Sequence, residues 1–319
     1  MPLPTLYVSR LLTDPVMTAI RTRFTLLSEP TPQAPSHDSL IDGLREAEAA
    51  IVTLTETITG DVLRTCRRLK VLANHAVGFN NIDLAAAKAA GIVVTNTPDV
   101  LTEATADLTW ALLLAVARRV TEGHRLVQDD RWTGWEPTQL LGADVAGRTL
   151  GIVGMGRIGQ AVARRAAGFA MPVLYASRHE VPFPSATQAW TRASLDELLD
   201  RSDFVSLHVP LTPDTHHLIG RTAFEAMRQT AIFLNTSRGP VVDEAALAEA
   251  LQHGLIAGAG LDVYEQEPRI HPSLLGLPQV VTLPHLGSAT QATRDRMGFM
   301  CVDNVSAVLE GRPVAHRVA

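Results

Sequence analysis

Three short stretches of this chain carry side chains of the kind that hold anions and move protons: Asn235-Thr236-Ser237-Arg238-Gly239, Asp262-Val263-Tyr264-Glu265-Gln266-Glu267-Pro268 and Pro284-His285-Leu286-Gly287-Ser288. Each follows an apolar, β-type run, at residues 231–234, 257–261 and 280–283 respectively. Each therefore stands at the carboxyl end of a predicted strand, where open α/β sheets bind their ligands. An arginine there offers a planar fork to a carboxylate, and its charge polarises a neighbouring carbonyl. A histidine supplies a proton near neutral pH, and a carboxylate beside it orients the ring and favours the imidazolium. Arg238, Glu267 and His285 together are what reduction of a 2-oxo acid requires. A hydride reaches C2, His285 protonates the oxygen, and Arg238 holds the carboxylate and stabilises developing negative charge. Singly, each residue has an ordinary reading as an ion-pair partner, a solvated loop residue or a strand-end cap. Their joint placement after three successive strands favours the chemical reading.

The hydride source is written in Gly154-Met155-Gly156-Arg157-Ile158-Gly159, which follows the apolar run Leu150-Gly151-Ile152-Val153 and opens the helix-like run Gln160-Ala161-Val162-Ala163-Arg164-Arg165. In a strand–turn–helix setting, Gly154 permits the turn, Gly156 lets a pyrophosphate approach the backbone, and Gly159 lets helix and strand pack closely. The ligand then meets unpaired N–H groups and the positive end of a helix dipole.

These residues need a framework that brings strand ends together. The chain has 319 residues, of which 46% are hydrophobic and 19% charged, enough for two domains with cores. β-type runs at residues 6–8, 24–27, 50–54, 71–73 and 92–94 alternate with helical segments, and the alternation resumes after the fingerprint at 173–175, 204–207, 231–234, 257–261 and 280–283. That pattern predicts an α/β protein with doubly wound parallel sheets. The Pro/Ser-rich stretch from Glu29 to Ser39 reads as a surface loop, and residues 102–119 as one helix with Leu108, Leu112, Leu113 and Val116 at helical spacing. A fingerprint in mid-chain implies that something substantial is built before the nucleotide domain begins, and the long helix read from Gln291 to Glu310 would need to return to that first domain. The expected bounds are 1–99 and 287–319 for the substrate domain, the latter a long return helix, and 100–286 for the dinucleotide domain.

Net charge is −5, from 28 Lys+Arg against 33 Asp+Glu, so nucleic acid is not the expected partner. The N-terminal residues lack a targeting pattern and the longest apolar stretch, 110–117, is far short of a bilayer span, which predicts a soluble, cytoplasmic protein without a membrane partner. Cys66 and Cys301 have no metal or disulfide spacing, lie in helical contexts and read as packing or partly exposed thiols. His216 and His217 follow a turn without a carboxylate or cysteine at metal-site spacing, so no metal is expected.

From about Ala50 onward the chain resembles the D-isomer-specific 2-hydroxyacid dehydrogenases, above all the glyoxylate/hydroxypyruvate reductases, some of which reduce 2-ketogluconate. The matching stretches are residues 74–83 (Asn-His-Ala-Val-Gly-Phe-Asn-Asn-Ile-Asp), the fingerprint, and residues 235–242, 260–268 and 284–290. The resemblance implies two Rossmann-like domains, the substrate domain flavodoxin-like, and catalytic roles for Arg238, Glu267 and His285. It further implies that the backbone of Val77 and Gly78 receives the substrate carboxylate and that Asp262 contacts the nicotinamide carboxamide. The implied cofactor contacts also include Gly154, Gly156, Arg157, Ile158, Gly159, Pro210, Thr215, Thr236, His285 and Gly287. Formate dehydrogenases of the superfamily carry glutamine where Glu267 stands, which argues against that activity. In the similar reductases the segment after the first nucleotide-domain helix supports a homodimer and can carry a tryptophan to the neighbouring active site. Trp132 and Trp135 occupy that segment, and Trp132 reads as a core residue.

Cofactor choice follows from the second strand of the nucleotide domain. An NAD enzyme places Asp or Glu there for the ribose 2′-OH, about twenty residues after the fingerprint. Here Val173-Leu174-Tyr175 leads into Ala176-Ser177-Arg178-His179, with no acid and with Ser177 and Arg178 suited to a 2′-phosphate. The expected cofactor is NADPH, with NADH the weaker alternative. The expected reaction is reduction of glyoxylate and hydroxypyruvate to glycolate and D-glycerate. The alternatives are another D-2-hydroxyacid dehydrogenase, of 2-ketogluconate reductase or phosphoglycerate dehydrogenase type, and a dinucleotide-sensing scaffold resembling the corepressors of this fold.

Overall fold

The computed structural model describes residues 2–182 and 190–319. The chain divides into two compact units, one running up to Leu101 and completed by Ser288–Ala319, the other Thr102–Gly287.

The first unit is built on five short strands: β1 (Thr5–Val8), β2 (Thr25–Leu26), β3 (Ala49–Val52), β4 (Val71–Asn74) and β5 (Val93–Thr95). Helices α1 (Asp14–Arg23), α2 (His37–Glu46), α3 (Gly60–Thr65) and α4 (Leu84–Ala89) connect them. All neighbours are parallel and the order is β2-β1-β3-β4-β5, which is the flavodoxin-like arrangement. β3 and β4 are buried along their whole length, as apolar runs must be when helices cover both faces.

The second unit opens with α5 (Thr102–Ala117) and α6 (Val120–Gln128), then continues β6 (Leu150–Val153), α7 (Arg157–Ala166), β7 (Val173–Ala176), β8 (Trp190–Arg192), α8 (Leu195–Arg201), β9 (Phe204–Leu207), α9 (Arg221–Ala226), β10 (Ile232–Asn235), α10 (Glu244–Gln252), β11 (Gly258–Leu261) and β12 (Val280–Thr282). Its seven parallel strands are ordered β12-β11-β10-β9-β6-β7-β8. The order reverses between β6 and β9, as in a doubly wound dinucleotide sheet. The last helix, α11 (Gln291–Leu309), belongs to the first unit: Cys301, Val302 and Val305 share a core cluster with Val16, Met17 and Ile20 of α1. Residues 316–319 then pair along β5, Val318 N–H donating to the Val94 carbonyl at 2.8 Å, and so cover that sheet edge.

The structure departs from the sequence-based expectations in local ways. The stretch expected to be loop up to Ser39 gives way to α2 at His37, because the Ser36 hydroxyl accepts the Ser39 N–H and caps the helix. The helix expected over 102–119 stops at Ala117, since Arg119 adopts φ 51°, and α6 starts anew beyond it. β8 is a three-residue edge strand with one buried side chain, too short to announce itself by alternation. Trp132, expected in the core, is 53% exposed, whereas Cys66 and Cys301 are buried, in line with the packing expected of them. Among the described residues no helix is long and apolar enough to cross a membrane.

Candidate active site

The three chemically suited side chains lie on the loops that leave adjacent strands β10, β11 and β12. Arg238 follows β10 and is half-buried, and its backbone is fixed by Asn235, whose side-chain amide donates to the Arg238 carbonyl at 3.0 Å. Gly239 explains how closely two of these loops approach: a Cβ at this position would collide with the Tyr264–Glu265 peptide of the loop after β11. Burial draws the Arg238 guanidinium below its ordinary value, and the nearby Glu267 carboxylate counteracts this. The group remains a cation at any working pH.

Glu267 closes its own turn. One carboxylate oxygen accepts the Tyr264 N–H at 3.1 Å and the other meets His285 Nδ1 at 2.8 Å. An ionised carboxylate only accepts, so Nδ1 carries the proton and Nε2 is the vertex left to face a reacting group. Burial by itself would raise the Glu267 carboxyl. The His285 hydrogen bond and charge, the Tyr264 amide and Arg238 outweigh it and bring the group below the usual carboxylate range. The Tyr264 hydroxyl donates to the Leu283 carbonyl at 2.8 Å, tying this loop to the end of β12.

Asp262, buried at the end of β11, braces the loop that carries His285. Its carbonyl accepts the His285 N–H at 3.0 Å, and its two carboxylate oxygens accept those of Leu286 at 2.6 Å and Gly287 at 2.8 Å. Three successive amides are thus held while His285 sits at φ 56°, a left-handed conformation uncommon for residues other than glycine. Burial raises the Asp262 carboxyl against those two hydrogen bonds. The Gly287 carbonyl in turn accepts the Thr105 hydroxyl of α5 at 2.9 Å. Thr236 is buried with its hydroxyl 2.9 Å from that of Thr109 on the same helix.

The fingerprint has the geometry of a dinucleotide cradle. Gly154 adopts φ 99°, with the His208 carbonyl so near that a side chain would clash. Gly159 lies against the Gly154 carbonyl and Ile152, so any Cβ would force α7 away from β6. At Gly156, the N-cap of α7, a Cβ would meet nothing within 4 Å, which is the open approach that a pyrophosphate needs. Arg157 and Ile158 form the first turn of α7. The loop after β9 contributes Pro210 and Thr215, joined by a 2.6 Å hydrogen bond from the Thr215 hydroxyl to the Pro210 carbonyl.

Ser177 and Arg178 follow β7, the first half-buried and the second exposed. Arg192 of β8, a residue the linear reading passed over, donates one amino group to both of their carbonyls, at 3.0 and 3.1 Å. Ser177 and Arg192 line a cleft of about 480 Å³ that Glu197 also lines. The cleft thus carries an acid from α8 rather than from the strand end, and its oxygen is engaged by the Ser194 amide and hydroxyl in a capping box.

Val77 and Gly78, in the first unit, lie just past β4. The Val77 carbonyl accepts from Asn96 Nδ2 and the Gly78 carbonyl from Asn74 Nδ2, both at 2.8 Å. In a trans peptide this turns the Gly78 N–H away from Asn96. Asn81 supports the arrangement by donating to the carbonyls of Thr53 and Glu56. The asparagines stand in the quoted 74–83 stretch or next to β5, and their type, buried polar groups among apolar runs, was the available signal. His217 pairs with Glu265, brought to it by folding rather than by spacing, and stacks on His216 with ring centroids 4.1 Å apart. Among the described residues no three His, Cys, Asp or Glu side chains cluster as metal ligands.

The parallel sheet with its glycine cradle and strand-end Arg, Glu and His define a dinucleotide-dependent oxidoreductase. Residues 110–287 match the family model "D-isomer specific 2-hydroxyacid dehydrogenase, NAD binding domain", and the chain belongs to that family of NAD(P)-dependent enzymes. It is 48% identical to a glyoxylate reductase of Thermococcus onnurineus over 86% of this chain and 84% of that protein. The crystal structure of the TT0316 protein of Thermus thermophilus superposes with a TM-score of 0.93 at 46% identity, covering 99% of this chain and all of that one. An NADPH-dependent glyoxylate/hydroxypyruvate reductase of Sinorhizobium meliloti, solved with NADP and malonate, superposes with a TM-score of 0.86 at 33% identity over 99% of this chain and 97% of that one.

Proposed function

We propose that this chain reduces glyoxylate and hydroxypyruvate to glycolate and D-glycerate with NADPH, NADH serving less well. The observation that carries this reading is the His285–Glu267 hydrogen bond at the ends of β11 and β12, beside Arg238 at the end of β10. The relatives named glyoxylate reductase support the substrate class, and the NADP-bound reductase supports the cofactor.

Residues 154–159, Pro210, Thr215, Ser177 and Arg178 would hold the dinucleotide, which when bound supplies a hydride to C2 of the oxo acid. Arg238 orients the substrate carboxylate and polarises the carbonyl, its partial desolvation strengthening both contacts. His285 donates its Nε2 proton to the oxygen that becomes the hydroxyl, and Glu267 stabilises the imidazolium until that transfer. The amides of Val77 and Gly78 are the proposed receptors of the carboxylate in the first unit. Steady-state turnover of NADPH and NADH with a panel of 2-oxo acids tests the reading. Absence of turnover with glyoxylate and hydroxypyruvate overturns it.

Lysine cannot reproduce a guanidinium fork, so Arg238→Lys raises KM for the oxo acid and lowers kcat while the protein stays folded. Equal kinetics in variant and wild type would mean that the substrate is anchored elsewhere.

Assembly is proposed as a C2 homodimer, the commonest closed oligomer. α6 buries none of its residues within the chain, and the apolar side chains of Val120, Val127, Trp135 and Leu141 are all more than half exposed on it and on the segment beyond. A surface of this kind marks an interface. Light scattering at micromolar concentration gives twice the chain mass if this holds, and the monomer mass if it does not. Trp135, 80% exposed, is the residue suited to reach a neighbouring site. Trp135→Ala then changes the ratio of kcat/KM between hydroxypyruvate and glyoxylate, whereas an unchanged ratio removes Trp135 from the pocket.

A further inference from the structure

Glu244 is a buried carboxylate, 5% exposed, that the proposed chemistry does not use. It occupies the first turn of α10, where an acid ordinarily serves the helix dipole. The capping is already done by Asp243, whose side chain accepts the Ala246 N–H at 3.0 Å. The oxygens of Glu244 reach elsewhere: one accepts the Glu265 N–H at 2.7 Å, the other the His271 N–H at 3.3 Å. Those two amides bracket Glu267, two residues before it and four after. The turn around Glu267 is closed by the Tyr264 N–H, just before the first of these amides, donating to Glu267, and by the Arg269 N–H donating to the Gln266 carbonyl at 2.8 Å.

We propose that Glu244 is a positioning residue for the acid–base pair, gripping the 265–271 loop at both ends so that Glu267 stays in register with His285. The inference rests on the proposed roles of Glu267 and His285. The physical argument is one of stiffness. The Glu267–His285 hydrogen bond spans two loops from different strands, and its length depends on where the Glu267 backbone stands. A single side chain that holds both ends of the loop removes its freedom to shift against the start of α10. At 5% exposure the grip is made with little competition from solvent, and the same burial raises the Glu244 carboxyl while the two amides oppose the rise. Removing it leaves two backbone N–H groups without their acceptor and releases the loop.

The test compares wild type, Glu244→Ala, Glu244→Gln, Glu267→Gln and the double variant Glu244→Ala/Glu267→Gln, using kcat, KM and pH–rate profiles for NADPH-dependent glyoxylate reduction. A displacement of about 1 Å costs on the order of a hundredfold, so Glu244→Ala lowers kcat by about ten- to a hundredfold while KM for NADPH changes by less than about twofold. The alkaline limit of reduction moves to lower pH, as it does in Glu267→Gln. Glu244→Gln keeps an acceptor for one amide and falls between wild type and Ala. In the Glu267→Gln background the Glu244 substitution adds little, because both act through one carboxylate. Losses that multiply in the double variant, or a lowered Tm with an unmoved pH limit, overturn the inference. Should Glu244→Ala not fold, Glu244→Gln alone and combined with Glu267→Gln carries the same comparison. An unchanged kcat and pH limit in Glu267→Gln itself would instead overturn the proposed role of Glu267, which separates the two failures.

Discussion

His285→Ala lowers kcat for oxo acid reduction by about two to four orders of magnitude, the usual contribution of a positioned general acid, while NADPH binding persists. The proton must come from a group within reach of the oxygen formed at C2, and the Nδ1 contact to Glu267 commits the opposite ring nitrogen to that task. Stopped-flow reduction with saturating NADPH reads the chemical step, and fluorescence titration reads cofactor binding. A variant with near-normal kcat removes His285 from the mechanism. Glu267→Gln provides the companion measurement. The Glu267 carboxyl lies below its ordinary range and is fully ionised where an imidazole titrates. Its negative charge favours the protonated ring, so its removal lowers the affinity of His285 for a proton and shifts the alkaline limit of reduction downward. The same depressed carboxyl stabilises the fold above its ordinary value of 4.5, a contribution lost as pH falls through the folded value. An unmoved alkaline limit would mean that the ring is poised by another group.

Arg178→Ala weakens NADPH far more than NADH. A charge-assisted hydrogen bond to the 2′-phosphate is worth roughly 1.5–3 kcal/mol, or about ten- to more than a hundredfold in affinity. Ser177→Asp repels the phosphate and offers the NADH ribose an acceptor, so it moves the preference further. The wild type prefers NADPH at low salt, and the preference narrows as salt screens an exposed site. Arg192 strengthens the expectation because it fixes the Ser177 and Arg178 carbonyls and brings a positive charge to the cleft that Ser177 lines. Glu197 works against it, though its engagement by Ser194 holds its charge at the helix start. Higher wild-type kcat/KM with NADH, or an equal effect of Arg178→Ala on both cofactors, rejects the assignment of this loop and leaves the dehydrogenase reading standing.

What the sequence determined by itself was local and periodic. Apolar runs of three to five residues between helical segments marked nearly every strand, because a parallel sheet covered on both faces needs continuous hydrophobic stretches. The glycine spacing at 154–159 was legible because a strand–turn–helix read from neighbouring residues sets the demand, although the carbonyl that crowds Gly154 comes from His208. The placement of Arg238, Glu267 and His285 after three strands was legible because strand ends can be counted. Short edge elements escaped for the opposite reason: β8 buries one side chain and leaves no period to read. The break at Arg119 lay in a backbone conformation rather than a residue type. Trp132 reads as a core residue in sequence, but exposure is decided by which surface the fold leaves uncovered. Only the tertiary structure paired Glu267 with His285, set Asp262 under three successive amides, carried Glu244 to both ends of a loop 21 and 27 residues away, and brought Arg192 and Glu197 to the Ser177 cleft. Such contacts depend on the order in which strands lie side by side, and that order comes from packing whole sheets and helices, which no window of sequence contains.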